Sequence, residues 1–463
     1  MNISIILAAG EGTRMKSKTS KVLHNICGKP MLDYVIEASK GGNIEKNIVI
    51  IGHSGGKVKE YFVDEDIIFK TQPIGADVPY GTGFAVMQAI DEIDDNSTVV
   101  VLAGDTPLIR DYTVDNLIKH HKENNFKATV LTAILEDLKG YGRIIRGEDG
   151  NIIKIVEEKD ASEEEKKVKE INSGMFCFNG KSLKYALSKI SSDNAQNEYY
   201  ITDAIEILKN EGYKVGAYLI KDPTEISGVN SRVQLAFCEK VMRRRINKGH
   251  MENGVTMMDP ENTYIEANVN IGMDTIIYPG VVLEGYSEIG EDCVIKQASR
   301  ISNSIIRNNV TIESSTIEDS FVDDYTKIGP SAHLRPNSKI GKNVKIGNFV
   351  EVKNSTMKDN TKAGHLSYIG DADIGHNVNI GSGVVFVNYN GREKFRSSVG
   401  DNCFIGSNSS LVAPVIIKEW GYIAAGSTIT KDVGEGNLSI ARASQVNKEG
   451  WVEKKGYKKD KKI

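Results

Sequence analysis

Residues 265–301 read Ile265-Glu-Ala-Asn-Val-Asn-Ile271-Gly-Met-Asp-Thr-Ile-Ile277-Tyr-Pro-Gly-Val-Val-Leu283-Glu-Gly-Tyr-Ser-Glu-Ile289-Gly-Glu-Asp-Cys-Val-Ile295-Lys-Gln-Ala-Ser-Arg-Ile301. Every sixth position is aliphatic. The series resumes at Ile328, Leu334, Ile340, Ile346 and Val352, and again at Val399, Ile405, Leu411, Ile417, Ile423 and Ile429. Helices repeat every 3.6 residues and strands every two, so neither accounts for a period of six. A parallel β-helix does: each side of the coil points one aliphatic side chain inward, onto that of the next coil. Glycine follows many of these positions, as in Ile289-Gly290 and Ile405-Gly406, and gives the chain room to turn. The period fails over 353–368 and 384–398, which predicts loops there, and loops on a rigid scaffold are places for function. A β-helix has no cleft of its own. Coils packed side by side would supply one, so a homo-oligomer is expected.

Working toward the N-terminus, the texture changes. Ile3–Leu7, Asn47–Ile51, Thr98–Leu102 and Thr129–Ile134 are short Val- and Ile-rich runs, separated by amphipathic stretches such as Pro30–Lys40 and Val114–Asn124. Strands alternating with helices predict an α/β domain with a mostly parallel, Rossmann-like sheet, whose ligands bind beyond the C-terminal strand ends. Between the two textures, Val233, Phe237, Val241 and Ile246 recur near helical spacing, with Gly249 as a stop. The expected organisation is a catalytic domain over 1–230, a linker helix over 231–250 and a β-helix over 251–463.

Composition adds limits. Net charge is −4 over 463 residues, so no global field points to nucleic acid or an anionic membrane. Cys27, Cys177, Cys238, Cys293 and Cys403 are scattered without a CxxC, against a disulfide framework or zinc site. The N-terminus lacks a basic segment before its short apolar run, and no run approaches the ~20 apolar residues of a membrane span, so a cytoplasmic protein without membrane insertion is expected. The tail from Trp451 carries Lys454, Lys455, Lys458, Lys459, Lys461 and Lys462. It is expected to be a mobile terminus, or else to meet ligand phosphates on a neighbouring subunit.

The first strand runs into Leu7-Ala-Ala-Gly-Glu-Gly-Thr-Arg-Met15, with Lys21 beyond it. Glycines after a strand let backbone N–H groups approach an anion, and Arg14 and Lys21 add charge. There is no Walker A motif, and Met15 replaces the last glycine of a dinucleotide fingerprint. The stretch Leu7–Lys21 closely resembles the signature loop of sugar-1-phosphate nucleotidyltransferases. So do, in order, Gly81-Thr-Gly83, Leu102-Ala-Gly-Asp-Thr-Pro-Leu108, Tyr141-Gly-Arg143, Ile155–Ala161, Glu170–Gly174 and Gly228-Val-Asn230. The resemblance implies that Asp105 and Asn230 hold Mg²⁺. It places Gly142, Glu157 and Asn172 at the sugar and Leu7, Ala8, Ala9, Gly10, Gln72, Gly81 and Thr82 around the nucleotide, with Arg14 and Lys21 catalytic. In this chemistry a sugar phosphate attacks the α-phosphorus of a nucleoside triphosphate, which needs positioning and charge neutralisation rather than a protein nucleophile. The chain departs from the pattern in a longer Gln72–Gly81 segment and in Phe84 where a histidine is expected, which bears on base selection.

The coils carry a second set: Leu334-Arg-Pro336, Glu351-Val-Lys353, Lys362–Asp371, Asn377–Gly381 and Val387-Asn-Tyr-Asn-Gly391. With the repeat, these resemble the C-terminal half of the bifunctional N-acetylglucosamine-1-phosphate uridyltransferase/glucosamine-1-phosphate N-acetyltransferase family, over essentially the whole chain. A left-handed β-helix, a trimer, the substrates UTP and acetyl-CoA, and a product for envelope precursor synthesis are implied. Acetyl transfer needs a deprotonated amine, and His365 is the natural base. Glu351 could orient its imidazole. Arg335 and Lys353 would grip the sugar phosphate. By resemblance Tyr368, Asn379 and Asn388 bind sugar hydroxyls, with Asn388 also counted in the acetyl-CoA groove beside Ser382, Tyr389, Lys394, Ser407, Ala425 and Arg442. Asn390 replaces an expected Asp before Gly391, and both residues suit that turn.

Three alternatives stay open. The β-helix could only oligomerise a monofunctional nucleotidyltransferase, against which the Arg335, Lys353, His365 and Tyr368 set speaks. The chain could be a silent scaffold, against which the intact loop with Asp105 and Asn230 speaks. Or both activities could act on another base or sugar, which turnover with each nucleoside triphosphate would decide.

Overall fold

The computed structural model describes residues 1–52, 55–75, 78–148, 150–194 and 196–457. Two compact units result, Met1–Arg245 and Ile246–Ile463. Lys458, Lys459, Lys461 and Lys462 of the basic tail lie outside the described residues. Among the described residues no helix is long and apolar enough to cross a membrane.

Apart from the short pair Asn25–Ile26 and Lys29–Pro30, the strands of the first unit are β1 (Asn2–Ala8), β2 (Lys46–Ile51), β3 (Ile68–Thr71), β4 (Thr98–Ala103), β5 (Ala128–Ile134), β6 (Arg143–Arg146), β7 (Ile152–Val156), β8 (Glu170–Asn179) and β9 (Val215–Leu219). They form one sheet in the order β9-β5-β8-β4-β1-β2-β3, with the β6–β7 hairpin attached to β8. Only β8 runs antiparallel along that row. The helices are α1 (Met31–Gly41), α2 (Gly55–Tyr61), α3 (Thr82–Met87), α4 (Asp111–Glu123), α5 (Gly180–Leu187), α6 (Asp203–Asn210) and α7 (Arg232–Glu252). A sheet covered on both faces explains why β1 and β4 read as aliphatic runs rather than alternations. Ile3, Ile5, Val99 and Val101 enter one core, and Ile6, Val100 and Leu102 the other.

The linker helix differs from expectation in two ways. It runs past Gly249 to Glu252. Its buried side chains are Cys238, Met242 and Asn247, whereas Val233 is 80% exposed and Phe237 48%. The buried stripe follows what the helix packs on: Asn247 donates to the carbonyls of Pro260 and Thr263 at 2.7 and 3.0 Å. A polar residue so satisfied is invisible to an apolar count.

The second unit winds as a left-handed parallel β-helix with faces of 11, 10 and 9 short strands among the described residues. The first face runs from Thr256–Met257 to Leu438–Ser439, the second from Tyr264–Ile265 to Thr428–Ile429, the third from Asn270–Ile271 to Ile416–Ile417. The inward positions form one continuous core.

The expected interruption over 353–368 is a correction. Val352, Met357, Ala363 and Ile369 are all fully buried, so the coil continues unbroken and His365 lies in a strand, Lys362–His365. The same holds for Ile301, Ile306, Ile312, Ile317, Val322 and Ile328. Some sides of the triangle have five residues instead of six. Dropping one outward residue keeps the inward stack but shifts the sequence period. Residues 388–396, between strands Val385–Val387 and Ser397–Val399, do leave the coil.

Two candidate active sites

The first site grows from the ends of β1 and β4. Gly104 donates its N–H to the Leu7 carbonyl at 2.9 Å, which sets Asp105 beside the loop that follows Ala8. The Val229 N–H bonds the Asp105 carbonyl at 2.9 Å and so brings Asn230 to the same point. Lys21 Nζ sits between them, 2.5 Å from Asp105 Oδ2 and 3.1 Å from Asn230 Oδ1. Three residues far apart in sequence thus converge, and two of them turn oxygens on one cationic centre. Such an oxygen pair fits a hard divalent ion that keeps water and substrate phosphates as its other ligands. Among the described residues no cluster of three His, Cys, Asp or Glu side chains could hold a metal by itself.

Gly12 has φ 64°, so the loop turns where a side chain would be strained. A cleft of about 860 Å³ opens on the loop, lined by Ala8, Ala9, Gly10, Lys16, Lys18 and Gly52 among others. Gly52 must be glycine, because a Cβ there would lie 2.4 Å from the Ala9 carbonyl oxygen. Arg14 stands exposed in the turn Thr13–Met15 and makes no hydrogen bond or ion pair with the Lys21 cluster.

Gln72 is buried at the end of β3, its N–H on the Ile51 carbonyl at 2.8 Å. Gly81, at φ 117°, would put a Cβ 2.5 Å from the Tyr199 carbonyl oxygen. Thr82 Oγ1 accepts from the Ile201 N–H at 3.1 Å. The segment 199–201, not singled out from sequence, is therefore the seat of the Gly81–Thr82 turn. The three residues expected at the sugar come together at the hairpin. Asn172 donates its N–H to the Gly142 carbonyl at 2.9 Å, and a Cβ on Gly142 would lie 3.3 Å from the Glu157 carboxylate. Burial raises the Glu157 carboxyl above its ordinary range, with Asp160 and Asp203 adding to it.

The second site spans the second face and the corner before it. Strand pairing sets Glu351 beside Tyr368, and Leu334 beside Val352, so Arg335 and Lys353 lie in adjacent coils. Arg335 Nη1 bonds Glu351 Oε1 at 2.9 Å. The Glu351 carboxylate thus has the Arg335 guanidinium as a partner, a contact that the expectation of an orienting role toward His365 did not include. His365 is exposed at the corner and pairs through its backbone with Asn348.

Asn379 pairs with Phe404, and Phe404 with Tyr422. Counting on along these strands stacks His365, Ser382, Ser407 and Ala425 in one column. Beside it runs a glycine column. A Cβ on Gly381 would meet Ser407 N at 2.6 Å, and one on Gly406 would meet Ala425 N at 2.5 Å. Arg442 closes the column, its Cδ 3.8 Å from where a Gly426 Cβ would stand. Most of the residues expected to line the acetyl-CoA groove thus form a continuous line that starts at His365. In the 388–396 insertion, Tyr389 is exposed and bridges to Lys394, while Asn388 is buried with its amide 3.4 Å from the Tyr368 hydroxyl.

Sequence reasoning gave no role to Asp371, the last residue of the quoted stretch Lys362–Asp371, and passed over Asn354. Asp371 accepts from Asn354 Nδ2 and Asn388 Nδ2, each at 2.5 Å, and Lys353 Nζ is 3.9 Å away. Left-handed corner residues recur at Asn303, Asp319, Asn337, Asn354 and Asp371, so in sequence Asp371 is one turn residue among several.

Residues 3–224 match the nucleotidyl transferase family, 396–431 the six-repeat bacterial transferase hexapeptide, and 316–390 the GMPPB C-terminal domain. The bifunctional protein GlmU of Clostridioides difficile (strain 630) is 55% identical over 99% of this chain and 98% of its own. Those of Alkaliphilus metalliredigens (strain QYMF) and Alkaliphilus oremlandii (strain OhILAs) are 54% and 56% identical, each over 98% of this chain and 99% of their own. The chain belongs to the bifunctional GlmU family. As a GlmU it is two transferases in one polypeptide, a uridyltransferase in the nucleotidyl transferase fold and an acetyltransferase on the hexapeptide coil. It acetylates glucosamine-1-phosphate with acetyl-CoA and then transfers UMP from UTP to N-acetylglucosamine-1-phosphate, giving UDP-N-acetylglucosamine and pyrophosphate.

Proposed function

We propose that residues 1–230 carry uridyl transfer and 251–463 acetyl transfer, joined by the helix between, with the site residues in the following roles. The observation that carries the first role set is the convergence of Lys21, Asp105 and Asn230. Asp105 and Asn230 hold a divalent ion, Mg²⁺, which when bound supplies charge neutralisation at the phosphates. Lys21 and Arg14 present cations to the triphosphate. Ala8, Ala9 and Gly10 offer backbone and space along the loop. Leu7 supports the loop from β1, and Gln72 and the Gly81–Thr82 turn hold the base. Gly142, Glu157 and Asn172 orient the sugar so that its phosphate faces the α-phosphorus.

In the second site His365 takes a proton from the substrate amine as it attacks the thioester. Arg335, held by Glu351, and Lys353 bind the sugar phosphate. Tyr368, Asn379 and Asn388 bind its hydroxyls, and the column Ser382, Ser407, Ala425 with Arg442, Tyr389 and Lys394 lines the acetyl-CoA groove. Asn379 and the Arg335–Lys353 pair stand on different faces of a convex triangular coil, so one ligand cannot reach both from a single chain. A second copy completes the site, and three copies close a ring. Phe349 and Leu366, 63% and 59% exposed at left-handed corner positions beside His365, support burial against that copy. The cytoplasm is the compartment that holds these substrates.

The test is a coupled assay with glucosamine-1-phosphate, acetyl-CoA, UTP and Mg²⁺. His365→Ala is expected to lose acetyl transfer about 10²-fold or more while still uridylating supplied N-acetylglucosamine-1-phosphate. Asp105→Ala is expected to do the reverse. Acetyl transfer that survives His365→Ala would remove the imidazole from its role.

A further inference from the structure

We propose that Asp371 is a positioning residue of the acetyl-transfer site: its buried carboxylate fixes the Asn388 amide and balances the Lys353 and Lys394 ammonium pair. The inference rests on the assignment of that site made above.

Asp371 stands at the corner where the second face turns to the third, at φ 51° and only 7% exposed. It ties the insertion to the coil at both ends. Its N–H donates to the Lys353 carbonyl at 3.0 Å and its carbonyl accepts from the Ser397 N–H at 3.1 Å, just past the insertion. Its side chain takes the other end through Asn388, at 2.5 Å. An ionised carboxylate only accepts hydrogen bonds, so both Asn354 and Asn388 must turn their NH₂ groups toward it. The Asn388 carbonyl is thereby turned away from Asp371, and its amide nitrogen also reaches the Tyr368 hydroxyl at 3.4 Å. Replacing the carboxylate by an amide would remove this choice of orientation.

The charge balance adds to that geometry, in which Lys353 Nζ lies 3.9 Å from Asp371 Oδ2. Burial works against the Asp371 anion. The Asn354 and Asn388 hydrogen bonds and the Lys353 and Lys394 charges outweigh it and hold the carboxyl below its ordinary range. Lys353 close to Lys394 pushes the Lys394 ammonium down by like-charge repulsion, and Asp371 and Tyr368 oppose that. The other cation facing the group, Arg396, is occupied by a two-point pair with Asp373 at 2.5 Å. Asp371 is therefore a carboxylate that acts on both ammonium groups. Without it the Lys394 ammonium loses its proton at lower pH.

The experiment compares Asp371→Asn, which keeps size and left-handed tolerance, with wild type, Lys353→Ala and Lys394→Met in the full chain. Asp371→Asn is expected to raise KM for glucosamine-1-phosphate roughly tenfold, with kcat changed less than about threefold. It moves the alkaline limb of acetyl-transfer kcat/KM down by about one pH unit. Uridyl transfer and melting temperature stay as in wild type. Lys394→Met, which replaces no buried group, removes the depressed ammonium and so moves the same limb up. If kcat, KM and melting temperature all worsen and neither variant moves the limb, Asp371 is only a structural clip and the inference is overturned. It is also overturned if Asp371→Asn behaves as wild type while Lys353→Ala abolishes acetyl transfer. If Lys353→Ala itself acetylates normally, the site assignment fails and takes this inference with it.

Discussion

Asp203 opens α6 beside the sugar pocket, and burial pushes its carboxyl up to about 6, with Glu206 and Asp160 adding repulsion. Because the folded value lies above the ordinary 3.8, the native state holds this proton more tightly than the unfolded chain. The cost to stability appears as pH rises from about 4 through about 6 and is complete above that. The group is half-buried, so the roughly 3 kcal/mol of a two-unit shift is discounted to about 1 kcal/mol. Asp203→Asn is therefore expected to raise the melting temperature of the first unit by about 2–4 °C at pH 7.5, and the gain should shrink as pH falls from about 6 to about 4. Calorimetry at several pH values checks it, and a constant gain would mean the effect is not titration. At this scale the nucleotidyl cluster was legible, because Lys21, Asp105 and Asn230 each sit in a distinctive local motif. The Glu351–Arg335 pair was not. It depends on which residue lies one coil below, and the sequence around Glu351 carries no mark of that.

Among elements, the coil is the easiest to read and the easiest to misjudge in detail. Each inward side chain stacks on its counterparts one coil away, as Ile312 does between Ile295 and Ile328. Ile312 is fully buried and far in sequence from both sites. Ile312→Ala is expected to destabilise the second unit by about 2–5 kcal/mol and Ile312→Val by about 1 kcal/mol. Denaturant unfolding followed on that unit, with uridyl transfer retained as a control, checks both. Five-residue sides broke the sequence period at 353–368 although the inward stack, through Met357 and Ala363, never stops. The linker helix taught the same lesson in reverse: its spacing was helical, but its buried stripe includes Asn247 and omits Val233, because the packing partner decides which face is inside.

For the whole molecule, the proposed association predicts a separation of the two activities. Phe349 and Leu366 form an exposed apolar ridge and belong to neither ligand set. Phe349→Asp with Leu366→Asp is expected to give monomers by sedimentation or light scattering and to lower acetyl transfer about 10²-fold, since burying a charge at an interface core is costly. Uridyl transfer should stay within about twofold, because its residues all lie in one unit. A variant that remains oligomeric, or a monomer that acetylates normally, would count against a site shared between copies.

The sequence by itself determined the two folds, their order and the chemistry each motif serves. A period of six and a strand-to-glycine loop are local patterns, and local patterns survive in one dimension. Only the tertiary structure decided the neighbours: Arg335 on Glu351, the column from His365 to Ala425, and Asp371 holding Asn354 and Asn388 together. The physical reason is the coil step. Residues that touch across coils lie a full turn apart in sequence, and sides of five or six residues change that interval without disturbing the buried stack. Contact therefore follows the winding, which folding sets, and not the motif, which the sequence displays.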